Sequence, residues 1–285
     1  MSKRIKEGRR LKTLDPFASI IPYIMVERGE CQNHFEGSLK VEKAEELIRT
    51  LRSQGYDGIG VLHIILASYV RTISQRPAIN RFIRGQKIYA RNDIVVNMDI
   101  KRKMKLNEPN TTVKFHFKPS DTLYDVYATV NDTLEKAFNA PTNTDAVASI
   151  IINCMPGIMK KFAIWFLKLV YYFGLLPSAL IEASPFHGSM FVTNMASLNI
   201  RAVTHHLYNF GSVPVFLAFG AKRTAVEYDR KGNMKVERVI DYIVNIDERI
   251  CDGFYFASAA KIMRDNFENP ELLLVPPMKI LEDIR

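Results

Sequence analysis

Helical and strand periodicities alternate along this 285-residue chain, and this alternation constrains its fold most strongly. Apolar residues recur at helical spacing over residues 41–53 and 59–75, whereas residues 111–117 alternate between apolar and polar side chains as a half-buried strand does. Further strands are predicted at residues 86–100, 188–194, 213–220 and 234–246, and further helices begin near residues 123 and 253. We therefore predict a single mixed α/β domain, in two layers, over residues 1–285.

The composition and the charge limit the classes of partner. Hydrophobic residues make up 47% of the chain and charged residues 24%, as in a globular protein, and the formal net charge is +9. This charge fits either a soluble protein with a basic surface or one that binds an anionic small molecule or an anionic membrane surface, and the sequence contains no nucleic-acid-binding motif. Because Cys31, Cys154 and Cys251 are widely spaced, we expect neither a zinc site nor a disulfide framework, and we expect a reducing, cytoplasmic location.

Two segments differ from the rest of the predicted domain. Residues 1–16 form a basic arm that no apolar run follows, so a signal peptide is not expected. Residues 146–181 form an apolar insertion whose only charged residues are Lys160, Lys161 and Lys168. Prolines and lysines divide it into pieces shorter than the roughly 20 apolar residues of a spanning helix. We therefore expect helices that are buried at a subunit interface or lie on a membrane surface, and we favour the buried alternative.

The stretch from Asn245 to Gly253 reads Asn-Ile-Asp-Glu-Arg-Ile-Cys-Asp-Gly. It resembles the Asp-His-Arg-x-x-Asp-Gly signature of the chloramphenicol acetyltransferase family, which includes the catalytic domain of dihydrolipoyl acyltransferases. Glu248 stands where that family has its catalytic histidine. Four further segments resemble parts of the family sequence in the same order, namely residues 76–80, 191–195, 211–220 and 267–274. No lipoyl or subunit-binding domain is recognised, so the resemblance implies a stand-alone catalytic domain.

The resemblance also implies an architecture and a reaction. It implies a mixed sheet flanked by helices and a homotrimer whose active sites lie in channels between subunits. Coenzyme A or an acyl-coenzyme A is then a substrate, and we expect neither a tightly bound cofactor nor a metal. Carried over by position, Glu248 takes the place of the catalytic base, and Thr193 takes the place of the hydroxyl group that stabilises the oxyanion.

The resemblance assigns structural roles to neighbouring residues. Asp252 takes the place of a carboxylate whose ion pair fixes the loop of the active site. Gly253 takes the place of a glycine that lets the following helix start close beneath that loop. Asp247, Arg249 and Asn194 complete the structural motif.

The exchange of histidine for glutamate leaves the chemistry open. An ordinary glutamate titrates about 4 units below a thiol, so proton transfer from a thiol costs roughly 6 kcal/mol unless burial disfavours the charged carboxylate. Glu248 is therefore interpreted either as a base in a desolvated channel or as a partner in a structural ion pair with Arg249 or an N-terminal arginine. His205 and His206 are candidates for a replacement base, and a surface or packing role also fits them.

The sequence thus predicts a coenzyme A-dependent acyltransferase with an unknown acceptor, acting as a trimer. Two alternatives stay open. The first is a catalytically inactive relative that binds ligands or serves as a trimeric scaffold, because Glu248 replaces the histidine. The second is a peripheral membrane protein that handles acyl groups, because the chain has a basic N-terminus and the apolar insertion at residues 146–181.

Overall fold

The structure is a computed structural model that describes residues 7–101, 110–139, 155–228 and 231–285. The strands are β1 (Gly8–Arg10), β2 (Gln32–Lys40), β3 (Arg81–Arg84), β4 (Lys87–Arg91), β5 (Ile94–Lys101), β6 (Asn110–Phe117), β7 (Met190–Asn194), β8 (Val215–Tyr228) and β9 (Met234–Asp247). The helices are α1 (Pro16–Ile24), α2 (Glu42–Ser53), α3 (Val61–Gln75), α4 (Leu123–Asn139), α5 (Gly157–Tyr172), α6 (Ser178–Ala183) and α7 (Gly253–Glu268). Short 3-10 helices span Arg28–Glu30, Pro77–Asn80, Met195–Leu198 and Pro270–Leu273.

The described strands form two sheets. The larger sheet has six strands in the order β2-β9-β8-β7-β5-β6. In it, β7 runs parallel to both β5 and β8, and the other neighbouring strands are antiparallel. The smaller sheet has the order β1-β4-β3. The prediction of a mixed sheet flanked by helices is therefore confirmed.

The main hydrophobic core lies between the large sheet and the helices α2, α3, α4 and α7. Helix α3 is at its centre and packs against α4 and α7. Twelve residues of α3, from His63 to Ser74, are buried, as expected for a helix that is apolar around most of its circumference. The predicted helices at residues 41–53 and 59–75 correspond to α2 and α3, and the predicted strand at 111–117 corresponds to β6.

The opposite face of the large sheet carries a second, smaller core. Because side chains alternate along a strand, Phe191 and Phe216 point away from the helices. They pack there with Leu207 and Val213 of the irregular loop that connects the 3-10 helix Met195–Leu198 to β8. On this face β7 also carries Thr193, which lies beside Ala218 of β8.

The prediction of one strand over residues 86–100 is wrong. The segment forms β4 in the small sheet and β5 in the large sheet. The break falls at Asn92 and Asp93, residue types that favour turns. The side-chain amide of Asn80 donates a hydrogen bond to the carbonyl of Asp93 (3.0 Å) and holds this break in place.

The two unusual segments are only partly described. Of the basic arm predicted at residues 1–16, residues 8–10 form β1, which pairs with β4, and residues 1–6 lie outside the described part. Of the insertion at 146–181, residues 146–154 lie outside it, and the rest forms α5 and most of α6. Of α5, the described chain buries only Tyr171. In the described part of the chain, no helix combines the length and the apolar character that crossing a membrane requires.

Candidate functional site

A buried ion-pair network forms where β9 ends. Asp247 is only 1% exposed. Nε and Nη2 of Arg249 each donate a hydrogen bond to one oxygen of its carboxylate, both at 2.8 Å, and Nε of Arg28 donates a third, longer one of 3.4 Å. Burial acts against the charge of both arginines. It lowers the pKa of Arg28, whereas the hydrogen-bonded Asp247 carboxylate outweighs burial at Arg249 and raises its pKa.

This network ties three distant segments together. Arg28 also donates hydrogen bonds to the carbonyls of Tyr208 (3.0 Å) and Gly211 (2.8 Å). Arg249 donates hydrogen bonds to the carbonyls of Met25 (2.9 Å) and Val26 (3.0 Å). The end of β9 is therefore fixed against the segment after α1 and against the loop before β8. Asp247 and Arg249 thus hold this junction together.

Glu248 lies between Asp247 and Arg249, the two residues of this ion pair. Its backbone amide donates a hydrogen bond to the carbonyl of Cys31 (2.8 Å), which extends the pairing of β9 with β2 by one residue. Its side chain is half-buried. Arg249 is engaged by Asp247, so the proposed ion pair between Glu248 and Arg249 is not formed. Among the described residues, the Glu248 carboxylate has neither an ion-pair nor a hydrogen-bond partner, and it remains available to a ligand or a second subunit.

Asp252 and Gly253 differ from the roles that the resemblance assigns to them. Asp252 is exposed and caps α7, since its carboxylate accepts a hydrogen bond from the backbone amide of Tyr255 (2.7 Å). No described basic side chain pairs with it, and the loop is held by Asp247 instead. Gly253 is also exposed, and a Cβ added there would meet no described atom within 4 Å. The start of α7 is therefore fixed by the cap and not by a close approach.

Thr193 lies far from Glu248 within one chain. It pairs with Ala218 of β8, which pairs with Ile243 of β9. Glu248 follows Ile243 by five residues, which is about 16 Å along the strand at about 3.3 Å per residue. Within the described chain, the Thr193 hydroxyl has no hydrogen-bond partner and its side chain is half-buried. Asn194 caps the next 3-10 helix by accepting a hydrogen bond from the amide of Ser197 (3.3 Å).

The two candidate histidines have different environments. The His205 ring stacks on Phe216 with centroids 4.3 Å apart, and burial lowers its pKa. Its Nε2 is buried and has no partner among the described residues. His206 is exposed. Phe216 pairs with Asn245, three residues before Glu248, so His205 stacks about 10 Å from Glu248 along the strand direction.

Two residues that position this site carry no sequence signal. Arg28 binds Asp247 across 219 positions of sequence. The side-chain oxygen of Gln32 accepts hydrogen bonds from the amide of Leu207 (3.1 Å) and the side chain of Asn245 (3.4 Å). Gln32 therefore holds the histidine loop against the end of β9. Both residues belong to the segment around the start of β2, where neither periodicity nor a motif marks them.

A cavity of about 330 Å³ opens beside the ion-pair network. It lies between the end of α5, the β3–β4 turn and the loop before β8. Its basic lining residues are Arg28, Arg84, Lys168 and Arg249, and its acidic one is Glu27. Such a lining suits an anionic group on a ligand. The described residues contain no group of three or more histidine, cysteine or acidic side chains that could hold a metal ion.

Comparison with known proteins gives the fold. No protein-family model and no curated protein matches the sequence. The chain is similar to a probable dihydrolipoamide acetyltransferase from Listeria monocytogenes 4b F2365, with a TM-score of 0.59 and 12% identity, over 92% of this chain and 95% of that one. For the dihydrolipoamide acetyltransferase of Azotobacter vinelandii the TM-score is 0.58, with 13% identity over 86% and 84% of the two chains.

A chloramphenicol acetyltransferase is also similar, with a TM-score of 0.50 and 13% identity over 90% of this chain and 98% of that one. Similarity at such low identity establishes the fold alone. The resemblance inferred from the motifs is therefore confirmed at the level of the fold. The chain has the fold that chloramphenicol acetyltransferase shares with the catalytic cores of dihydrolipoamide acetyltransferases.

Proposed function

We propose that the protein is a coenzyme A-dependent acyltransferase, which acts as a homotrimer with Glu248 of one subunit facing Thr193 of its neighbour. The observation that carries the proposal is the separation of these two groups in one chain, about 16 Å along the strands of an acyltransferase fold. One chain cannot bring both groups to one reacting carbonyl. A neighbouring subunit packed on the open face of the sheet can supply the missing group.

The similar structures support the choice of residues. The Azotobacter vinelandii enzyme was studied for the roles of a serine, a histidine and an asparagine, in this chain order, in its catalytic mechanism. Thr193, Glu248 and Asp252 offer a hydroxyl group, a proton acceptor and a hydrogen-bonding side chain in the same order. Glu248 and Asp252 are four positions apart, as are the histidine and the asparagine of that enzyme.

The chemistry follows from the two groups that have no partner among the described residues. Glu248 takes the proton from the thiol or hydroxyl group of the acceptor, whose sulfur or oxygen attacks the thioester carbonyl of acyl-coenzyme A. Thr193 donates a hydrogen bond to the oxyanion of the tetrahedral intermediate. The C–S bond of the thioester then breaks, and the departing thiolate of coenzyme A receives the proton from Glu248. The acyl group is thereby transferred and the carboxylate is regenerated.

The buried network positions the base in this scheme. Asp247 and Arg249 hold the backbone on both sides of Glu248, and Arg28 anchors the loop that carries His205. The basic lining of the adjacent cavity is suited to a phosphate of coenzyme A. Cys31 and Cys251 are both free thiols, which fits a cytoplasmic protein.

The test is a transferase assay on the purified protein. Acetyl-coenzyme A serves as the donor and dihydrolipoamide or chloramphenicol as the acceptor, and the acetylated product is measured by mass spectrometry. Glu248→Gln should lower kcat/KM by roughly 10²- to 10⁴-fold. Thr193→Val should lower it by about 10²- to 10³-fold, while Thr193→Ser retains most of the activity. Glu46→Gln, on the exposed face of α2, is the matched control and should change nothing.

An inactive binding protein is the second candidate function, because a carboxylate cannot reproduce the neutral donor and acceptor character of an imidazole. The two functions differ in two measurements. If acetyl-coenzyme A binds in calorimetry but no acceptor is acylated, and Glu248→His creates turnover, the protein is a binding relative of the enzymes. Absence of any binding of acyl-coenzyme A would reject both versions of the proposal.

A further inference from the structure

Helix α5 and the turn after it expose an unusual amount of apolar surface. The exposed large side chains include Ile158 (80%), Phe162 (63%), Trp165 (55%), Phe166 (50%), Phe173 (65%) and Leu175 (72%). We call these six residues, together with Lys161 and Lys168, the α5 patch. Contiguous exposed apolar surfaces of this kind mark interaction sites on soluble proteins.

The patch lies on the side of α5 that faces away from the rest of the chain. The helix rests on the protein through Ala163, Leu167, Val170 and Tyr171, which are half-buried or buried and recur at helical spacing. The Tyr172 hydroxyl donates a hydrogen bond to Gln86 in the β3–β4 turn (3.0 Å), which fixes the C-terminal end. The outward side therefore has a defined orientation, and its large apolar side chains are at least half exposed in the described chain.

The charged residues of the segment that forms this surface all have one sign. Between residues 155 and 181 the charged residues are Lys160, Lys161 and Lys168. Lys161 and Lys168 are exposed, lie two turns apart on one flank of the apolar stripe, and form no ion pair within the described chain. Contact between two copies of this patch would bring lysines together without acidic partners. An anionic surface would complement them.

We propose that the α5 patch binds the surface of an anionic lipid bilayer. The helix lies in the plane of the headgroups, with Phe162, Trp165 and Phe166 inserted to the level of the upper acyl chains. Lys161 and Lys168 extend along the helix flank to the lipid phosphates. The inference does not depend on acyl transfer. It places the mouth of the basic cavity near the bilayer, since Lys168 and Tyr172 also line that cavity.

Trp165 is the single tryptophan of the chain, so its fluorescence reports on this patch alone. The full-length protein is mixed with vesicles of phosphatidylcholine, or with vesicles in which about a third of the lipid is phosphatidylglycerol. It should sediment with the anionic vesicles at least about tenfold more strongly than with the neutral ones, and the Trp165 emission should shift to the blue. Added salt should weaken this binding.

Variants separate the apolar and the charged contributions. Phe162→Gln with Phe166→Gln should weaken binding to anionic vesicles by at least about tenfold. Lys161→Gln with Lys168→Gln should weaken it by roughly 25-fold, since one lysine near such a surface is worth about fivefold. Phe138→Gln, at an exposed position of α4, is the matched control and should bind as the wild type does.

Three results would overturn the proposal. The first is a wild-type protein that neither sediments with anionic vesicles nor changes its Trp165 emission, because the patch is then covered by protein. The second is vesicle binding that persists in the double phenylalanine variant. The third is a change in the mass of the lipid-free assembly caused by that variant, which would assign the patch to contacts between copies of the chain.

Discussion

The stability of this protein should fall steeply in mild acid because of His187. This side chain is 1% exposed. Its Nδ1 lies 2.9 Å from the Ser184 hydroxyl, and its Nε2 has no partner in the described part of the chain. The Tyr171 ring packs edge-on against it with centroids 4.7 Å apart. Burial, and then the positive charges of Lys114, Arg91 and Arg28, lower the pKa of His187 to about 3.

The magnitude follows from proton linkage. Unfolding returns His187 to its ordinary pKa of about 6.5. Between pH 6.5 and 3 the unfolded chain therefore binds one more proton at this site than the folded chain does, and the free energy of unfolding decreases as the pH falls. The slope approaches about 1.4 kcal/mol per pH unit, which gives a loss of about 2 kcal/mol between pH 7 and pH 5. The contribution is complete above pH 6.5 and lost below about 3.

The assay compares the wild type with His187→Asn in urea unfolding from pH 7 to pH 5. Asparagine keeps a polar atom near the Ser184 hydroxyl and does not titrate. The difference in unfolding free energy between the two proteins should therefore shift by about 2 kcal/mol in favour of the variant over this range. Ser184→Ala is the control, because it removes the hydrogen bond and keeps the titrating ring. Parallel pH profiles of His187→Asn and the wild type would refute the reasoning.

Two further predictions concern the candidate site. Asp247→Asn leaves two buried arginines without their carboxylate, so the free energy of unfolding in urea should fall by about 3–5 kcal/mol. The control is Asp241→Asn, which breaks a partly exposed pair with Arg223 and should cost under about 1 kcal/mol. Equal losses in the two variants would contradict the buried network. Asp252→Ala should lower the stability by about 1 kcal/mol because it removes the cap of α7, and Asp252→Asn should lower it much less because asparagine also caps helices. Equal effects of the two substitutions in thermal unfolding would show that Asp252 acts as a charge.

The sequence predicts much of the fold because several helices and strands show a regular pattern of apolar and polar side chains along their whole length. The alternation of Val113, Phe115 and Phe117 with polar neighbours corresponds to the buried face of β6. The division of residues 86–100 between two sheets does not show in the periodicity, although Asn92 and Asp93 are residue types that favour turns. Strand periodicity shows that a segment is extended and alternates in burial, but it does not say which partner the strand pairs with.

The site was predictable only in part. The order of motifs points to Glu248 and Thr193 as candidates, because each belongs to a short motif at the end of a strand. The anchor at Arg28 depends on contacts with a carboxylate and two carbonyls far away in the sequence. The capping role of Asp252 is visible in the sequence as an Asp before a helix, but the family motif suggests an ion pair instead. The sequence does not show the role of Arg28 because its partners are distant in the chain. It does not decide the role of Asp252 because the same residue type can cap a helix or form an ion pair.

The most direct test of the central claim is subunit complementation between two inactive variants. Glu248→Gln and Thr193→Val chains are co-expressed with different tags, and trimers that contain both are purified. Their mass should be three times the 32.6 kDa of one chain. If each site takes its base from one subunit and its hydroxyl group from the next, each mixed trimer has one intact site of three. Mixed trimers should then recover about a third of the wild-type activity. Mixed trimers that stay inactive, beside an active wild type, would contradict the inter-subunit site.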